Sequence, residues 1–502
     1  MRKSLKILHK SYSLIIAAII SLLIIFPFAN INLSKDIDEK LSVDKFADYL
    51  NENIPQLMSN FNVPGLNISL IKNYKKVWSK AFGYADVETK REMTTDTYCR
   101  LESISKSVTA WGIMKLAEQK KIKLDEPVTN YLQNWTFPPS EYSTEKITIL
   151  QLLTHTSGLT LGNIGVIYSP TDILPSLQQS LTENALLFQE PGTSFSYSNT
   201  GYHLLELLIE EVTGQTFEEF MRKEILLPLG MNKSTFIWSE KFYPPVANGY
   251  DLKGTPIPVY IYPEKAAGGL FSTIEDLGNF VIAGMSKYNK DSNNVLSLQS
   301  IDEMYDSYVK PGQYSLAFDY YGFGHFIEKL PAGKKAIAAG GQGTGWMTHF
   351  HSVPETGDGI IILTNSQRSW PLFAYILNDW AKWSGFGSVG MSVLIKARII
   401  LWIIVFILLT FSLWQIIQII VRLTSGNLRL VLFKELLQLK IIIKFLSGAI
   451  ILLIVVWAMG QKYLFIKSVF PIASFWLGYS LLFFSIILVL TVLFRPKRVI
   501  TS

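Results

Sequence analysis

Apolar positions gather into unbroken runs at the two ends of this chain and into short periodic patches between them. Residues 14–29 are nearly free of polar side chains and follow Arg2, Lys3, Lys6 and Lys10, the arrangement of a signal peptide or an N-terminal anchor. Residues 399–421, 441–460 and 468–494 are each long enough to cross a hydrocarbon core of about 30 Å as a helix. In the middle, residues 66–71 alternate as a half-buried strand, with 76–81 as hairpin partner. A second hairpin is predicted from 348–353 and 359–364 around residues 354–358. Residues 147–153, 202–212 and 217–227 carry helical apolar spacing, the last two closed by Gly214 and by Pro228-Leu229-Gly230. A sheet built from chain-distant strands with helices between them predicts an α+β layered domain carrying a helical insertion. The organisation expected is a signal or anchor at 1–31, a linker at 32–44, one exported domain at 45–385, a linker at 386–398 and three transmembrane helices at 399–498.

Charge sharpens the topology. Arg422, Arg429, Lys434, Lys440 and Lys444 separate the first two C-terminal spans, and Arg495, Lys497 and Arg498 follow the last. By the positive-inside rule these flanks face the cytoplasm, which leaves residues 32–398 outside, in agreement with an export signal at the start. The formal charge of +6 therefore does not point to nucleic acid. Residues 1–10, 421–444 and 495–498 hold twelve Lys or Arg against one Glu, a net +11, so the rest carries −5. Cys99 is the only cysteine, which excludes an intramolecular disulfide, and it reads as a small core residue. No His, Cys, Asp or Glu cluster has metal-ligand spacing, so neither metal nor cofactor is expected.

Candidate chemistry centres on Ser103-Ile104-Ser105-Lys106. Positions i and i+3 share a helix face, so hydroxyl and amine can meet there. A serine attacks a carbonyl only when a neighbouring base takes its proton, and a desolvated lysine can be that base. A chain of this length contains roughly three Ser-x-x-Lys matches by chance. Ser42-Val43-Asp44-Lys45 is such a match, in a polar connector where nothing desolvates the lysine.

Context selects Ser103. Val63-Pro64-Gly65, Ser103-Ile104-Ser105-Lys106, Leu152-Leu153-Thr154-His155-Thr156-Ser157-Gly158-Leu159, Glu190-Pro191-Gly192, Tyr197-Ser198-Asn199, Leu229-Gly230-Met231 and Gly268-Gly269-Leu270 follow one another in order. With them the exported domain resembles the serine beta-lactamase-like family, which includes class C beta-lactamases, D-Ala-D-Ala carboxypeptidases and penicillin-binding-protein-related peptidases and esterases. The resemblance implies a beta-lactamase-like sandwich, an antiparallel sheet flanked by helices plus a helical subdomain. It implies Ser103 as nucleophile, Lys106 as base and Tyr197 as proton relay. Asn199 would orient the substrate amide, and the strand at Gly341, with the N–H groups of Ser103 and Gln342, would hold the oxyanion. Tyr49-Leu50-Asn51 matches the second element too but reads as a helix fragment, and the family's Leu-Leu-Thr-His-Thr-Ser-Gly stretch makes His155 structural rather than a triad member.

The third element departs from the family pattern. Where Lys-Thr-Gly or His-x-Gly is usual, Gly345-Trp346 fixes the register so that Ala339-Gly340-Gly341 stands there without a cation. Lys334, Lys335 and His349 are the nearby cations that could compensate. The lack weakens recognition of a free C-terminal carboxylate and suits an internal amide beside a D-residue. The signal or anchor, exported domain and three spans together resemble membrane-bound peptidases of the colibactin-maturing type, which remove an N-acyl-D-amino-acid cap from a prodrug. The expected partners are a small-molecule or peptide amide and membrane lipid. A cell-wall carboxypeptidase or beta-lactamase, and a catalytically degenerate membrane binding or sensor protein, are the alternatives.

Overall fold

A computed structural model describes residues 2–29, 37–163, 166–285, 295–306, 308–431, 438–461 and 464–496, which divide into two units: Ser34–Val393, and Met1–Leu33 with Leu394–Ser502. The start of the expected 32–44 linker and the topology-setting Lys434, Lys497 and Arg498 lie outside the described residues.

In the unit Ser34–Val393, eight strands form one antiparallel sheet: β1 (Gly65–Lys72), β2 (Lys75–Asp86), β3 (Arg91–Glu92), β4 (Tyr320–Tyr321), β5 (Phe326–Lys329), β6 (Lys335–Gly343), β7 (Trp346–Val353) and β8 (Asp358–Thr364). Their order is β3-β2-β1-β8-β7-β6-β5-β4, so an early hairpin pairs with a late one through β1 and β8, with Ile68 opposite Ile362. Both hairpins stand where the apolar pattern predicted them. The expectation of a half-buried alternating β1 is corrected, because Gly65 to Ile71 are all buried. Helices cover both sheet faces, so even Asn67 and Ser69 are out of water, and Ser69 Oγ accepts from Ser79 Oγ at 2.9 Å.

The principal helices of the chain are α1 (Arg2–Ala29), α2 (Val43–Phe61), α3 (Ile104–Glu118), α4 (Asn199–Thr213), α5 (Ile274–Ala283), α6 (Trp370–Trp383), α7 (Val393–Thr424), α8 (Leu439–Gly460) and α9 (Pro471–Leu493). Helix α2 starts inside the expected linker, with Ser42 capping it by accepting the Lys45 N–H at 3.3 Å. The decoy Ser42-x-x-Lys45 is thus a helix cap, with both residues exposed. Helices α2 and α6 pack together, Phe46 stacking on Trp383 at 4.2 Å and Tyr49 donating to Asp379 at 2.9 Å. On the other face lie α3 and α5, where Trp111 meets Phe280 and Phe280 meets Phe350. Between β3 and β4 the chain builds the predicted helical insertion, in which α4 ends at Gly214, left-handed at φ +68°. The predicted 217–227 helix is α-helical only over Phe217–Met221 and widens to a π turn over Arg222–Leu226.

Four helical stretches, Lys10–Ala29, Gly390–Thr424, Leu439–Gly460 and Pro471–Leu493, are long and apolar enough to cross a membrane. The predicted 468–494 span is shorter at its start: a short helix, Phe465–Val469, breaks at Phe470, and Pro471 opens α9 because its missing N–H and fixed φ suit a first helical turn. Helices α8 and α9 meet at Gly448, whose carbonyl accepts from Ser485 Oγ at 2.9 Å. Gln418 of α7 donates to Ser13 Oγ of α1 at 2.8 Å.

Candidate active site

Helix α3 is buried on every side from Ile104 to Met114, so its polar side chains there must find protein partners. Ser107 donates to Gly324 O at 2.6 Å, Thr109 to Ala266 O at 3.0 Å, and Ser105 Oγ accepts the Leu270 N–H at 3.1 Å. Two of these bonds fasten the loop before Phe271 to α3. Buried Glu206 of α4 holds that loop from the other side, accepting the N–H groups of Lys265 and Ala266 at 2.6 and 2.7 Å.

Ser103 occupies the cap position of α3 and is only partly buried, which leaves its hydroxyl reachable. Lys106 is fully buried one turn on, its Nζ 3.1 Å from Ser103 Oγ and donating to Ala267 O at 2.8 Å. The amine lies over the rings of Tyr197 at 4.9 Å and Tyr202 at 5.7 Å. Burial lowers its pKa to about 7, partly opposed by the negative charge of Glu102. A neutral amine at hydrogen-bond distance from a serine hydroxyl can accept its proton.

Tyr197, Ser198 and Asn199 lead into α4. Ser198 caps the helix, its Oγ accepting the Gly201 N–H at 3.0 Å and donating to Thr160 O at 2.7 Å. The Ser198 N–H donates to Nδ1 of buried His155 at 3.2 Å, and the His155 and Tyr197 rings are 4.3 Å apart. Asn199 is partly buried, its backbone N–H held by Leu161 O at 3.0 Å. Gly341 and Gln342 stand on β6, with Gly341 opposite Thr348 and Gln342 opposite Met347. Gln342 Oε1 accepts from Trp370 Nε1 at 3.0 Å.

Strand alternation puts Ala339, Gly341 and Gly343 on the face toward the Ser103 turn. A Cβ on Gly341 would fall 2.1 Å from Leu101 O, so only glycine admits this approach. Ala339 is buried there without a charge. The three cations considered as substitutes point elsewhere. Lys334 pairs with Glu355, Lys335 donates to Tyr305 O, and His349 lies under Gly340 on the α6 side, near Trp370. Among the described residues no group of three His, Cys, Asp or Glu is placed to hold a metal ion.

Sequence reasoning passed over Arg100, Glu102, Tyr260 and Tyr262. Buried Glu102 accepts from Arg100 Nε at 2.9 Å, Tyr260 Oη at 2.8 Å and Tyr262 Oη at 3.1 Å. Its φ of +50° is left-handed, which costs a non-glycine residue roughly 1–2 kcal/mol. The Arg100-x-Glu102 charge pair flanking an otherwise apolar stretch was the one signal available, and nothing local ties it to tyrosines about 160 residues away.

The Beta-lactamase family profile matches residues 50–376. The chain belongs to that family. This beta-lactamase-family chain is similar to Protein flp of Staphylococcus aureus (strain MW2), 29% identical over 235 residues, 44% of this chain and 45% of that relative. The alignment thus spans less than half of that relative's length. The putative penicillin-binding protein PbpX of Bacillus subtilis (strain 168) is 25% identical over 316 residues, 62% of this chain and 73% of PbpX. Among solved structures, the octameric penicillin-binding protein homologue from Pyrococcus abyssi is 30% identical, with a TM-score of 0.60 over 71% of this chain and 81% of that one. The mixed α/β fold, antiparallel sheet with helices, is that of a penicillin-binding-protein-like serine hydrolase family.

Proposed function

We propose that this chain is a membrane-bound serine hydrolase whose catalytic unit faces outside the cytoplasm and cleaves an amide beside a D-amino acid, removing an N-acyl-D-amino-acid cap. The observation that carries the reading is Lys106 Nζ, buried and 3.1 Å from Ser103 Oγ. In the first step Lys106 takes the Ser103 proton, Oγ bonds to the carbonyl carbon, and the amide leaves as an amine that receives a proton through Lys106 and Tyr197. The tetrahedral oxyanion is held by the backbone N–H groups of Ser103 and Gln342, with Gly341 permitting the close approach. Water then hydrolyses the ester and restores Ser103. Asn199 holds the substrate amide.

The uncharged Ala339 supports an internal amide over a free carboxylate, since a buried alanine offers nothing to an anion. Four apolar helices and the basic flanks support the membrane location and the outward face. The test is an active-site fluorophosphonate on full-length protein in detergent, followed by turnover of N-acyl-D- and N-acyl-L-amino-acid anilides. Labelling of Ser103 and turnover of the D-series alone is expected. An intact protein unlabelled at Ser103 overturns the enzyme reading, and preference for the L-series overturns the substrate class.

A second reading has support from the names of two relatives, a putative penicillin-binding protein and a penicillin-binding protein homologue. It makes this chain a cell-wall carboxypeptidase or beta-lactamase. Turnover of a chromogenic beta-lactam, with the anilides untouched, selects it.

A further inference from the structure

We infer that Glu102 is a positioning residue for the Ser103 reaction: it is a tethered anion that locks the nucleophile's turn against the glycine strand and stabilises the ammonium formed on Lys106. The inference rests on the acyl-transfer reading above. Its basis is a cluster outside the motif residues. Glu102 directly precedes Ser103 and is held in a left-handed conformation at φ +50°. Its carboxylate is fixed by three donors, Arg100 Nε at 2.9 Å, Tyr260 Oη at 2.8 Å and Tyr262 Oη at 3.1 Å. Arg100 is itself locked, donating to Tyr260 O at 2.6 Å with its guanidinium 4.1 Å from the Tyr260 ring centre and 4.8 Å from that of Phe271.

The same carboxylate meets β6. A Cβ on Gly343 would lie 2.2 Å from Glu102 Cδ, and one on Gly341 would lie 2.9 Å from Glu102 Cβ. Glycines 341 and 343 therefore make room for Glu102, and the strand that lacks a cation at Ala339 is braced by a buried ion pair instead. One residue thus contacts both sources of the oxyanion-holding N–H groups, the Ser103 turn and the Gln342 strand.

The charge argument follows from what surrounds Lys106. Its Nζ faces Ser103 Oγ, Ala267 O and the rings of Tyr197 and Tyr202. Desolvation and then the Lys106 charge disfavour the cationic forms of buried His155 and half-buried His203, and the negative charge of Glu102 favours the ammonium of Lys106. When Lys106 takes the serine proton, a positive charge appears in a dry site, and a fixed carboxylate lowers the cost of that charge. Arg100 holds the carboxylate in place at 2.9 Å.

The test compares parent, Glu102→Gln and Glu102→Gly, all full-length in detergent. Glycine takes φ +50° without strain, so it keeps the turn where glutamine fails to fold. The readout is the second-order rate of Ser103 acylation by a fluorophosphonate from pH 5 to 10, with thermal melts confirming the fold. Both substitutions are expected to move the acid limb to lower pH by at least about half a unit and to lower the plateau about tenfold or more. A purely structural role lowers the plateau and leaves the limb in place. Folded variants whose acid limb coincides with that of the parent overturn the inference. A parent that is never acylated at Ser103 overturns the acyl-transfer reading itself.

Discussion

Nδ1 of His155 accepts the backbone N–H of Ser198 at 3.2 Å, so the histidine commits its basic nitrogen to the backbone between Tyr197 and Asn199. Its ring is buried among Phe195, Tyr197, Tyr202 and Tyr321, and burial pushes its pKa well below the ordinary value. His155→Ala removes this acceptor and leaves a cavity. It should cost about 2–4 kcal/mol of stability in a denaturant titration. Ser103 labelling should persist in the folded fraction, whereas a triad base at His155 would abolish it.

On the proposed mechanism, the Lys106 pKa of about 7 should set the pH dependence of acylation. Below that pH the amine holds a proton and cannot take the one on Ser103. The rate should rise tenfold per unit at low pH and level off above about 7. Lys106→Met should remove the acid limb together with at least about 99% of the rate. Linkage gives a second measurement. An unfolded lysine titrates at 10.5, so from about pH 7 to 10.5 the unfolded chain binds more protons and Lys106 makes stability rise with pH. Chemical denaturation across that window should show a smaller slope in Lys106→Met.

Gly341 should not tolerate a side chain. Its added Cβ would meet Leu101 O at 2.1 Å and Thr348 Oγ1 at 2.4 Å, and the first of these is backbone that cannot swing aside. Gly341→Ala should lose about 1–3 kcal/mol by denaturation and most of its acylation rate. Gly214→Ala, with nothing within 4 Å of the new Cβ, is the control: it pays only for the left-handed φ and should keep the acylation rate.

Arg100→Met leaves Glu102 buried with its counter-ion removed. The expected loss is about 3–5 kcal/mol in thermal or denaturant unfolding, larger than for an exposed pair such as Lys123–Glu126. Tyr260 and Tyr262 still donate in that variant, so a loss below about 1 kcal/mol would show that the pair is not a structural anchor.

Cys99 should be inert while the protein is folded. It has no exposed surface, and burial pushes its thiol up to about 12, so no thiolate forms at neutral pH. Iodoacetamide should alkylate it only after denaturant is added.

What the sequence determined by itself was whatever depends on near neighbours. The i, i+3 spacing that lets Ser103 meet Lys106 is a property of one helical turn. The hairpins at 66–81 and 348–364 and the apolar runs follow from patterns within some twenty residues. Tertiary structure decided the rest. Lys106 has a lowered pKa because α3 buries it, a burial that its own letters do not encode. β1 lost its expected exposed face because the sheet is covered by α2, which directly precedes β1, and by α5 and α6 from far along the chain. Ala339 goes uncompensated because strand alternation turns His349 to the opposite face. Glu102 became the partner of Arg100, Tyr260 and Tyr262 only when residues some 160 positions apart met around one carboxylate. Electrostatic environment depends on distance in space, and spacing along the chain fixes that distance only within a single element.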